Sequence, residues 1–300
     1  MFKTILFASS ATEASDHAAR VAFTMAALNQ AVLHVFHVLG VPSRGYSQAV
    51  TDVKTRERVE VDADYTAWVK EELRTYYEKQ LADSAVQAEI EVAVGFPHRE
   101  ILRQAKAVGA DLIVLGRSTG EAEDSVYKKS FAGSTLQRVA RAARCPVLVV
   151  SRPAASFWGG LSNIVFGTDF SKASDKAFEL AAELARTFAC ELHIFHALDI
   201  SSMHMGRSVS QDEIEQQRRE ALRRIRSQYL SRIQGIGVYS LEVWEGIPFV
   251  EIVKYAREKH ADLIVLAHHS KALDAEGGRI GSNVEQVIVR AGCPVISMNK

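Results

Sequence analysis

The chain has 300 residues and is electrically balanced, with 36 Lys and Arg against 36 Asp and Glu. This balance argues against a nucleic-acid-binding surface spread over the whole protein. Although 47% of the residues are hydrophobic, no apolar run approaches the roughly 18 residues of a membrane span. We therefore expect neither nucleic acid nor a membrane as a partner.

The three cysteines and the N-terminus indicate where the protein works. Cys145, Cys190 and Cys293 show neither a disulfide framework nor the clustered spacing of a metal site. The first seven residues are typical of a strand and lack the long apolar segment and cleavage site of a signal peptide. These features predict a location in the reducing cytoplasm.

Apolar segments alternate with segments of helical periodicity along the first half of the chain. Segments rich in Val, Ile, Leu or Phe predict strands near residues 3–9, 31–39, 88–94, 111–116 and 146–151. Thr12 is placed to cap the first helix, and Pro97 suits the first turn of a later one. Ser171 and Pro248 take the same places in the second half of the chain. Between Thr12 and Pro97, one face of a long helix is marked by Val69, Leu73 and Tyr76. This alternation predicts an open α/β fold, with a mostly parallel sheet covered by helices on both faces.

The second half of the chain repeats the first. The matching blocks are residues 5–8 with 164–167, 33–37 with 192–196, 110–115 with 261–266, and 145–147 with 293–295. The blocks keep their order while the offset falls from 159 to 151 and then to 148 residues. Duplication followed by loop changes produces this pattern. We therefore predict two tandem domains, at residues 1–152 and 160–300, joined near residues 152–156.

Three segments, at 5–15, 95–116 and 133–150, resemble the universal stress protein family, and with their copies they cover nearly the whole chain. The resemblance, to a tandem UspA-like member, implies a doubly wound sheet of five parallel strands in each domain. Its layering is that of flavodoxin-like and adenine nucleotide alpha hydrolase-like folds. The resemblance also implies that the two domains pair through their last strands. Many members bind ATP or a related nucleotide and others do not, so the site residues have to decide.

The family's nucleotide site lies beyond the carboxyl ends of strands one and four, where open α/β sheets bind ligands. The family places an Asp after strand one. After strand four it places Gly, two residues, Gly, about nine residues, and Gly-Ser. Glycines let the backbone approach phosphates, and the N-terminus of the helix that follows attracts anions.

The first domain keeps the glycines of this motif and lacks its Asp. Ser10 stands at the Asp position, and the glycine spacing is three and twelve residues. The resemblance implies that Ser10 and Val38 line the base and ribose. The residues implied for phosphate are Gly116, Gly120, Gly133, Ser134 and Thr135.

The second domain has the opposite defect. Asp169 is in place, but Ala267 and Ser270 replace the first two glycines. Because losing glycines obstructs phosphate directly, we expect a weaker site here. Its residues are Asp169, Gly281, Ser282 and Asn283.

Two other kinds of site are weaker interpretations. Residues 116–120 fit the hydrolase pattern Gly-x-Ser-x-Gly around Ser118, but no helix follows at once and no His follows in the same domain. His34 and His37 lie three apart on one predicted strand, so they point to opposite faces and cannot bind one metal together. We therefore expect structural histidines and no metal site.

The residues and the resemblance together predict a stress-response protein that senses a ligand and is not an enzyme. The favoured ligand is ATP or another adenine nucleotide, together with Mg²⁺, bound mainly in the first domain. The alternative is a structural or interaction module whose sites have decayed. A protein partner of unknown identity and a homodimer are left open.

Overall fold

The computed structural model describes residues 1–40, 49–51, 58–60, 62–84, 86–116, 135–150, 160–200, 210–268 and 282–299. The chain divides into two compact units, Phe2–Val150 and Ser151–Lys300, the second of which also takes Met1. They are called the first and second domains below.

The first domain alternates strands and helices. In chain order its elements are β1 (Thr4–Ser9), α1 (Glu13–Asn29), β2 (Val32–Gly40), β3 (Ala49–Thr51), β4 (Arg58–Glu60), α2 (Ala63–Tyr76), α3 (Glu78–Asp83), β5 (Ala88–Gly95), α4 (Pro97–Ala107), β6 (Leu112–Gly116), α5 (Thr135–Ala142) and β7 (Val147–Val150). Within the described residues, its main sheet has five parallel strands in the order β5-β2-β1-β6-β7.

The second domain repeats this plan. Its elements are β8 (Asn163–Gly167), α6 (Lys172–Thr187), β9 (Glu191–Asp199), α7 (Gln211–Tyr229), a 3₁₀ turn (Leu230–Arg232), β10 (Tyr239–Gly246), α8 (Pro248–Glu258), β11 (Leu263–Ala267), α9 (Ser282–Arg290) and β12 (Val295–Met298). Its described strands are again five and parallel, in the order β10-β9-β8-β11-β12. The predicted doubly wound, five-stranded α/β fold is confirmed in both domains. Pairing of the domains through their last strands stays a prediction.

The central strands are buried on both faces, as their uninterrupted apolar sequence predicts. Ile5, Leu6 and Phe7 of β1 are fully buried, and so are Ile164, Val165 and Phe166 of β8. Burying one such side chain contributes about 1.5–3 kcal/mol. β1 and β8 are therefore the central strands of their sheets, and the carboxyl end of each lies between those of two neighbouring strands.

The buried face predicted for α2 is correct for two residues and wrong for the third. Val69 and Leu73 are buried, whereas Tyr76 is 40% exposed and its neighbour Tyr77 is fully buried. The helix ends at Tyr76, and Tyr77 has φ −99° and ψ 10°. This break in the helical backbone rotates the apolar face by one residue, which periodicity within a single helix does not anticipate.

The predicted helix starts are largely confirmed. Pro97 and Pro248 lie in the first turns of α4 and α8, and Ser171 caps α6 by accepting a hydrogen bond from the Ser174 amide. Thr12 occupies the N-cap position of α1, but its side chain makes no cap bond. Sequence periodicity missed the β3–β4 pair, whose antiparallel strands have three residues each.

Candidate functional site

In each sheet the strand order reverses beside the first strand. The carboxyl ends of the strands at this point are the expected ligand site, and we call them the carboxyl edge of the sheet. In the first domain β1 lies between β2 and β6, with Ser9 opposite His37 and Ala8 opposite Leu115. The next residues along these strands include three of the predicted site residues, namely Ser10, Val38 and Gly116. The structure therefore brings together, at one edge, residues from three separate parts of the sequence.

A hydroxyl group organises the turn after β1. Ser9 Oγ accepts a hydrogen bond from the Ala11 amide at 2.9 Å and lies 2.6 Å from the phenol oxygen of Tyr77. Ala11 has φ +53°, in the left-handed region. The buried Ser9–Tyr77 pair thus holds an uncommon backbone conformation at the entrance to α1.

The second domain builds the same turn from different residues. Thr168 Oγ1 accepts from the Phe170 amide at 2.9 Å and lies 2.7 Å from the phenol oxygen of Tyr229. Phe170, with φ +63°, takes the left-handed position. Because both copies keep the hydroxyl, the phenol and the left-handed residue, this arrangement is the common frame of both candidate sites.

A histidine completes the frame in each domain. His37 Nδ1 lies 2.9 Å from the Ser9 carbonyl oxygen, and His196 Nδ1 lies 2.8 Å from that of Thr168. A carbonyl only accepts, so Nδ1 carries the proton that is donated. Burial lowers the pKa of both histidines, which favours the neutral ring with Nε2 as the unprotonated nitrogen. The sequence showed the repeated histidines but not this role.

Ser10, at the predicted base and ribose position, is half-buried. Its Oγ lies 2.9 Å from Thr12 Oγ1, and the carbonyl of Thr12 accepts a hydrogen bond from Ser15 Oγ at 2.9 Å. Val38, on the neighbouring strand, is also half-buried. These two side chains give the edge one hydroxyl and one apolar surface.

Gly116 has a packing role that the sequence did not show. A Cβ atom added here would lie 3.1 Å from the Cα of Ser15 and 3.3 Å from the Cβ of Ala18. Both contacts belong to α1, so glycine allows this helix to lie close against the end of β6. This close approach accounts for Gly116 whether or not phosphate binds there.

The other predicted residues are only partly described. Thr135 is the first residue of α5, Ser282 is the first residue of α9, and Asn283 is exposed. Four predicted positions, and Ser118 of the hydrolase interpretation, lie outside the described residues. The four are Gly120, Gly133, Ser134 and Gly281.

The carboxylate of Asp169 holds its own turn together. Asp169 Oδ1 accepts hydrogen bonds from the Ser171 amide at 3.0 Å and from Ser174 Oγ at 2.5 Å. These bonds tie the loop after β8 to the first turn of α6. A ligand using the same oxygen would compete with them.

Aromatic and cationic groups crowd the second domain's edge. The ring centroids of Phe170 and His196 lie 4.5 Å apart. The guanidinium carbon of Arg224 lies 4.5 Å from the Phe170 centroid, which is a cation–π contact. The first domain has Ala11 in place of Phe170, so the two edges differ in shape as well as in charge.

The cysteines are poor nucleophiles. Burial raises the pKa of Cys145 to about 11 and that of Cys293 to about 12, with a smaller contribution from a nearby aspartate in each case. Cys190 donates its thiol proton to the Leu161 carbonyl oxygen at 3.0 Å. All three are therefore protonated thiols at neutral pH.

Two long segments of the chain match a known protein family. The sequence model of the universal stress protein family matches residues 1–151 and again residues 160–297. The chain belongs to the universal stress protein family. Because the family matches twice, this universal stress protein is a tandem member, as the internal repeat predicts.

Two curated relatives each match about half of the chain. A universal stress protein of Methanocaldococcus jannaschii is 30% identical over 142 residues, which cover 46% of this chain and 81% of the relative. Universal stress protein YxiE of Bacillus subtilis is 32% identical over 157 residues, which cover 50% of this chain and 99% of the relative. Each match therefore has about the length of one domain.

Solved structures share the fold over the whole chain. A universal stress protein from Archaeoglobus fulgidus superposes with a TM-score of 0.69 at 19% identity, covering 99% of this chain and 98% of the other. A protein from Pseudomonas aeruginosa gives a TM-score of 0.64 at 18% identity, covering 99% and 92%. Among the described helices, none combines the length and hydrophobicity needed to cross a bilayer.

Proposed function

We propose that this universal stress protein senses an adenine nucleotide, ATP or a close relative bound with Mg²⁺, mainly through its first domain. The observation that carries the proposal is the convergence of Ser10, Val38 and Gly116 on one carboxyl edge, where strand order reverses. The glycine-rich sequence begins where β6 ends at this carboxyl edge, and α5 begins after it at Thr135.

Each chemical part of a nucleotide has a counterpart in the proposed site. Ser10 offers a hydroxyl for the ribose or base, and Val38 offers an apolar surface. Phosphates would be held by the backbone of Gly120, Gly133 and Ser134 and by the N-terminus of α5. Gly116 contributes indirectly, by keeping α1 close to the end of β6.

The second domain would bind nucleotide more weakly. Asp169 already uses Oδ1 to hold its own turn, and Ala267 stands at the end of β11 where the motif calls for glycine. Phe170 lies against His196 and under Arg224 at the same edge. Binding there would have to rearrange contacts that the protein makes with itself.

The protein would act as a sensor and not as an enzyme. Members of the family are generally not enzymes, and no catalytic base is part of the proposed site. Nucleotide binding would change the contacts that the protein makes with a partner in the cytoplasm. ATP hydrolysis by the wild type should therefore be no faster than by the Gly133→Asp variant described next.

Native mass spectrometry of the full chain with Mg-ATP tests the proposal. We expect one nucleotide per chain, lost in Gly133→Asp because the new carboxylate repels phosphate. The matched control is Gly281→Asp, which places the same charge at the repeat-equivalent position of the second domain. This control and Asp169→Ala should keep the nucleotide.

Either of two results would overturn the proposal. If no adduct forms at millimolar ATP, or if Gly133→Asp and Gly281→Asp bind alike, the first domain is not the nucleotide site. An absent adduct would favour the alternative of an interaction module with decayed sites. Repeating the mass measurement with GTP in place of ATP would show whether the adenine base is recognised.

A further inference from the structure

Three side chains with metal-binding chemistry lie together at the amino ends of β2 and β5 in the first domain. His34 pairs with Glu89 in the strand register, and Glu91 lies two residues further along β5. Strand side chains alternate, so the two carboxylates share the face of their sheet to which His34 points. One ligand atom from each residue lies within 4.8 Å of the other two.

The imidazole of His34 is buried but not satisfied. The residue is 8% exposed, and Nδ1 finds no hydrogen-bond partner among the described residues. The nearest carboxylate oxygens are Glu89 Oε2 at 3.5 Å and Glu91 Oε1 at 3.7 Å. Both distances exceed the usual N–H···O range of about 2.7–3.2 Å. The buried ring nitrogen therefore faces two carboxylate oxygens without forming a hydrogen bond to either of them.

A small divalent cation would fit that space. Zinc binds nitrogen and oxygen ligands at about 2.0–2.2 Å, so two ligands of a tetrahedral ion lie about 3.4 Å apart. The distances from Nδ1 to the two carboxylate oxygens are within a few tenths of an ångström of this value. Small side-chain rotations would complete the geometry.

The surroundings orient one ligand and leave the other side open. Gln104 of α4 donates a hydrogen bond to Glu91 Oε2, which leaves Oε1 on the side of His34. Such outer contacts are typical of metal ligands. The Glu89 side chain is 52% exposed, so water can reach the fourth coordination position of a tetrahedral ion.

The second domain shows what the same framework looks like without such a cluster. There Ser240 takes the position of Glu89, and its Oγ lies 2.8 Å from Nδ1 of His193 and 2.9 Å from the phenol oxygen of Tyr255. His193 Nε2 lies 3.3 Å from Asn163 Oδ1. Glu191 Oε2 lies 3.7 Å from the same Nε2, but Ser240 and Asn163 already provide a hydrogen-bond partner for each ring nitrogen. The pair of carboxylates in the first domain is therefore not needed to keep a histidine on this strand.

We propose that His34, Glu89 and Glu91 bind a divalent transition-metal ion, with zinc as the ion that best matches one imidazole and two carboxylates. The proposal departs from the expectation of no metal site, which weighed the spacing of histidines and cysteines along the sequence and not the carboxylates of a neighbouring strand. It is also separate from the nucleotide proposal. His34 precedes Val38 by four residues of β2, about 13 Å along the strand, towards its opposite end.

Isothermal titration of the untagged full chain with Zn²⁺ alone tests the proposal. We expect one ion bound through the first domain, with affinity reduced at least about tenfold in Glu89→Gln/Glu91→Gln. Both substitutions keep size and shape and lie at half-exposed positions, so the fold should be kept. The matched control is Glu191→Gln/Glu242→Gln in the second domain. Glu191 Oε2 lies 3.7 Å from His193 Nε2, and Glu242 lies two residues after Ser240 on β10, as Glu91 follows Glu89 on β5. This control should bind zinc like the wild type.

Cobalt provides a spectroscopic signature that a merely structural role would not produce. Co²⁺ in the wild type should show the intense visible absorption of a four-coordinate site, absent in Glu89→Gln/Glu91→Gln. Gln104→Ala should weaken binding about tenfold, because it frees Glu91. If both double variants bind zinc equally, or if the wild type binds none at micromolar concentration, the inference is wrong.

Discussion

Ser9 and Tyr77 lie 68 residues apart in the chain, yet their side-chain oxygens meet at 2.6 Å inside the first domain. The second domain repeats the contact with Thr168 and Tyr229 at 2.7 Å. In each case the hydroxyl at the end of the first strand also accepts from the backbone amide two residues later. These contacts fasten the C-terminal end of α2 in the first domain, and that of α7 in the second, to the loop after the first strand of the domain.

Removing the phenol oxygen should therefore destabilise the protein. We expect Tyr77→Phe to lower the free energy of unfolding by about 1–2 kcal/mol, because the buried Ser9 hydroxyl loses a partner. Urea unfolding followed by circular dichroism measures the change. Tyr76→Phe, at the neighbouring residue, is the matched control. It removes an exposed bond to Asp16 and should change stability by less than about 0.5 kcal/mol. Equal effects of the two variants would contradict the role of Tyr77.

Gly116 should be intolerant of a methyl group even without ligand. Gly116→Ala places Cβ against the backbone of α1, and we expect a loss of about 1–3 kcal/mol from overpacking. Gly292→Ala, where an added Cβ meets nothing within 4 Å, should be nearly neutral. The thermal midpoints of the two variants without nucleotide make the comparison. A neutral Gly116→Ala would show that α1 adjusts at no cost.

Stability should fall in mild acid because of His37 and His196. Burial lowers the folded-state pKa of His37 and His196 below the ordinary 6.5, so the unfolded chain binds more protons. Their contribution is complete above about pH 6.5 and is lost as the pH falls through the lowered folded values. Urea midpoints at about pH 7.5 and 5.5 measure the loss.

A double substitution isolates this contribution. In His37→Asn/His196→Asn the amide nitrogen can still donate to the Ser9 and Thr168 carbonyl groups but does not titrate. We expect a smaller drop in stability between the two pH values than in the wild type. His260→Asn, at an exposed position, is the control and should keep the full drop. An unchanged drop in the double variant would assign the pH dependence to other groups.

Arg232 should be hard to replace by lysine. Its guanidinium bonds Asp175 Oδ1 at 3.3 Å, also reaches Glu179 Oε1, and lies 4.8 Å from the Phe178 ring centroid. Lysine is a point charge and cannot keep these planar contacts together. We expect Arg232→Lys to cost about 1 kcal/mol in urea unfolding. Arg219→Lys, which keeps an exposed pair with Glu215, should cost less than about 0.5 kcal/mol. Similar costs would show that the planar fork is unimportant.

The fold could be predicted from sequence because its signals are local. The strands predicted at 3–9 and 88–94 are observed at Thr4–Ser9 and Ala88–Gly95, since a strand buried on both faces needs a continuous apolar run. The repeat then supplied the second domain. Periodicity failed at Tyr76 and Tyr77, because a break in the helix shifts which residue faces the core.

The candidate ligand sites depended more on the tertiary structure. The family resemblance indicated Ser10 and Gly116 as site residues, and strand order explains why they lie at the same end of the sheet. The packing of Gly116 on α1, and the use of Asp169 to hold its own turn, depend on distances between atoms that no spacing pattern contains.

By itself, then, the sequence determined two α/β domains of one family, with strands, helix starts and glycine positions in their proper order. Only the tertiary structure placed Tyr77 against Ser9, and Glu89 and Glu91 beside His34. The physical reason is that local elements follow from side chains a few residues apart. Partners more than 50 residues apart are set by the register of parallel strands and by the packing of helices on the finished sheet.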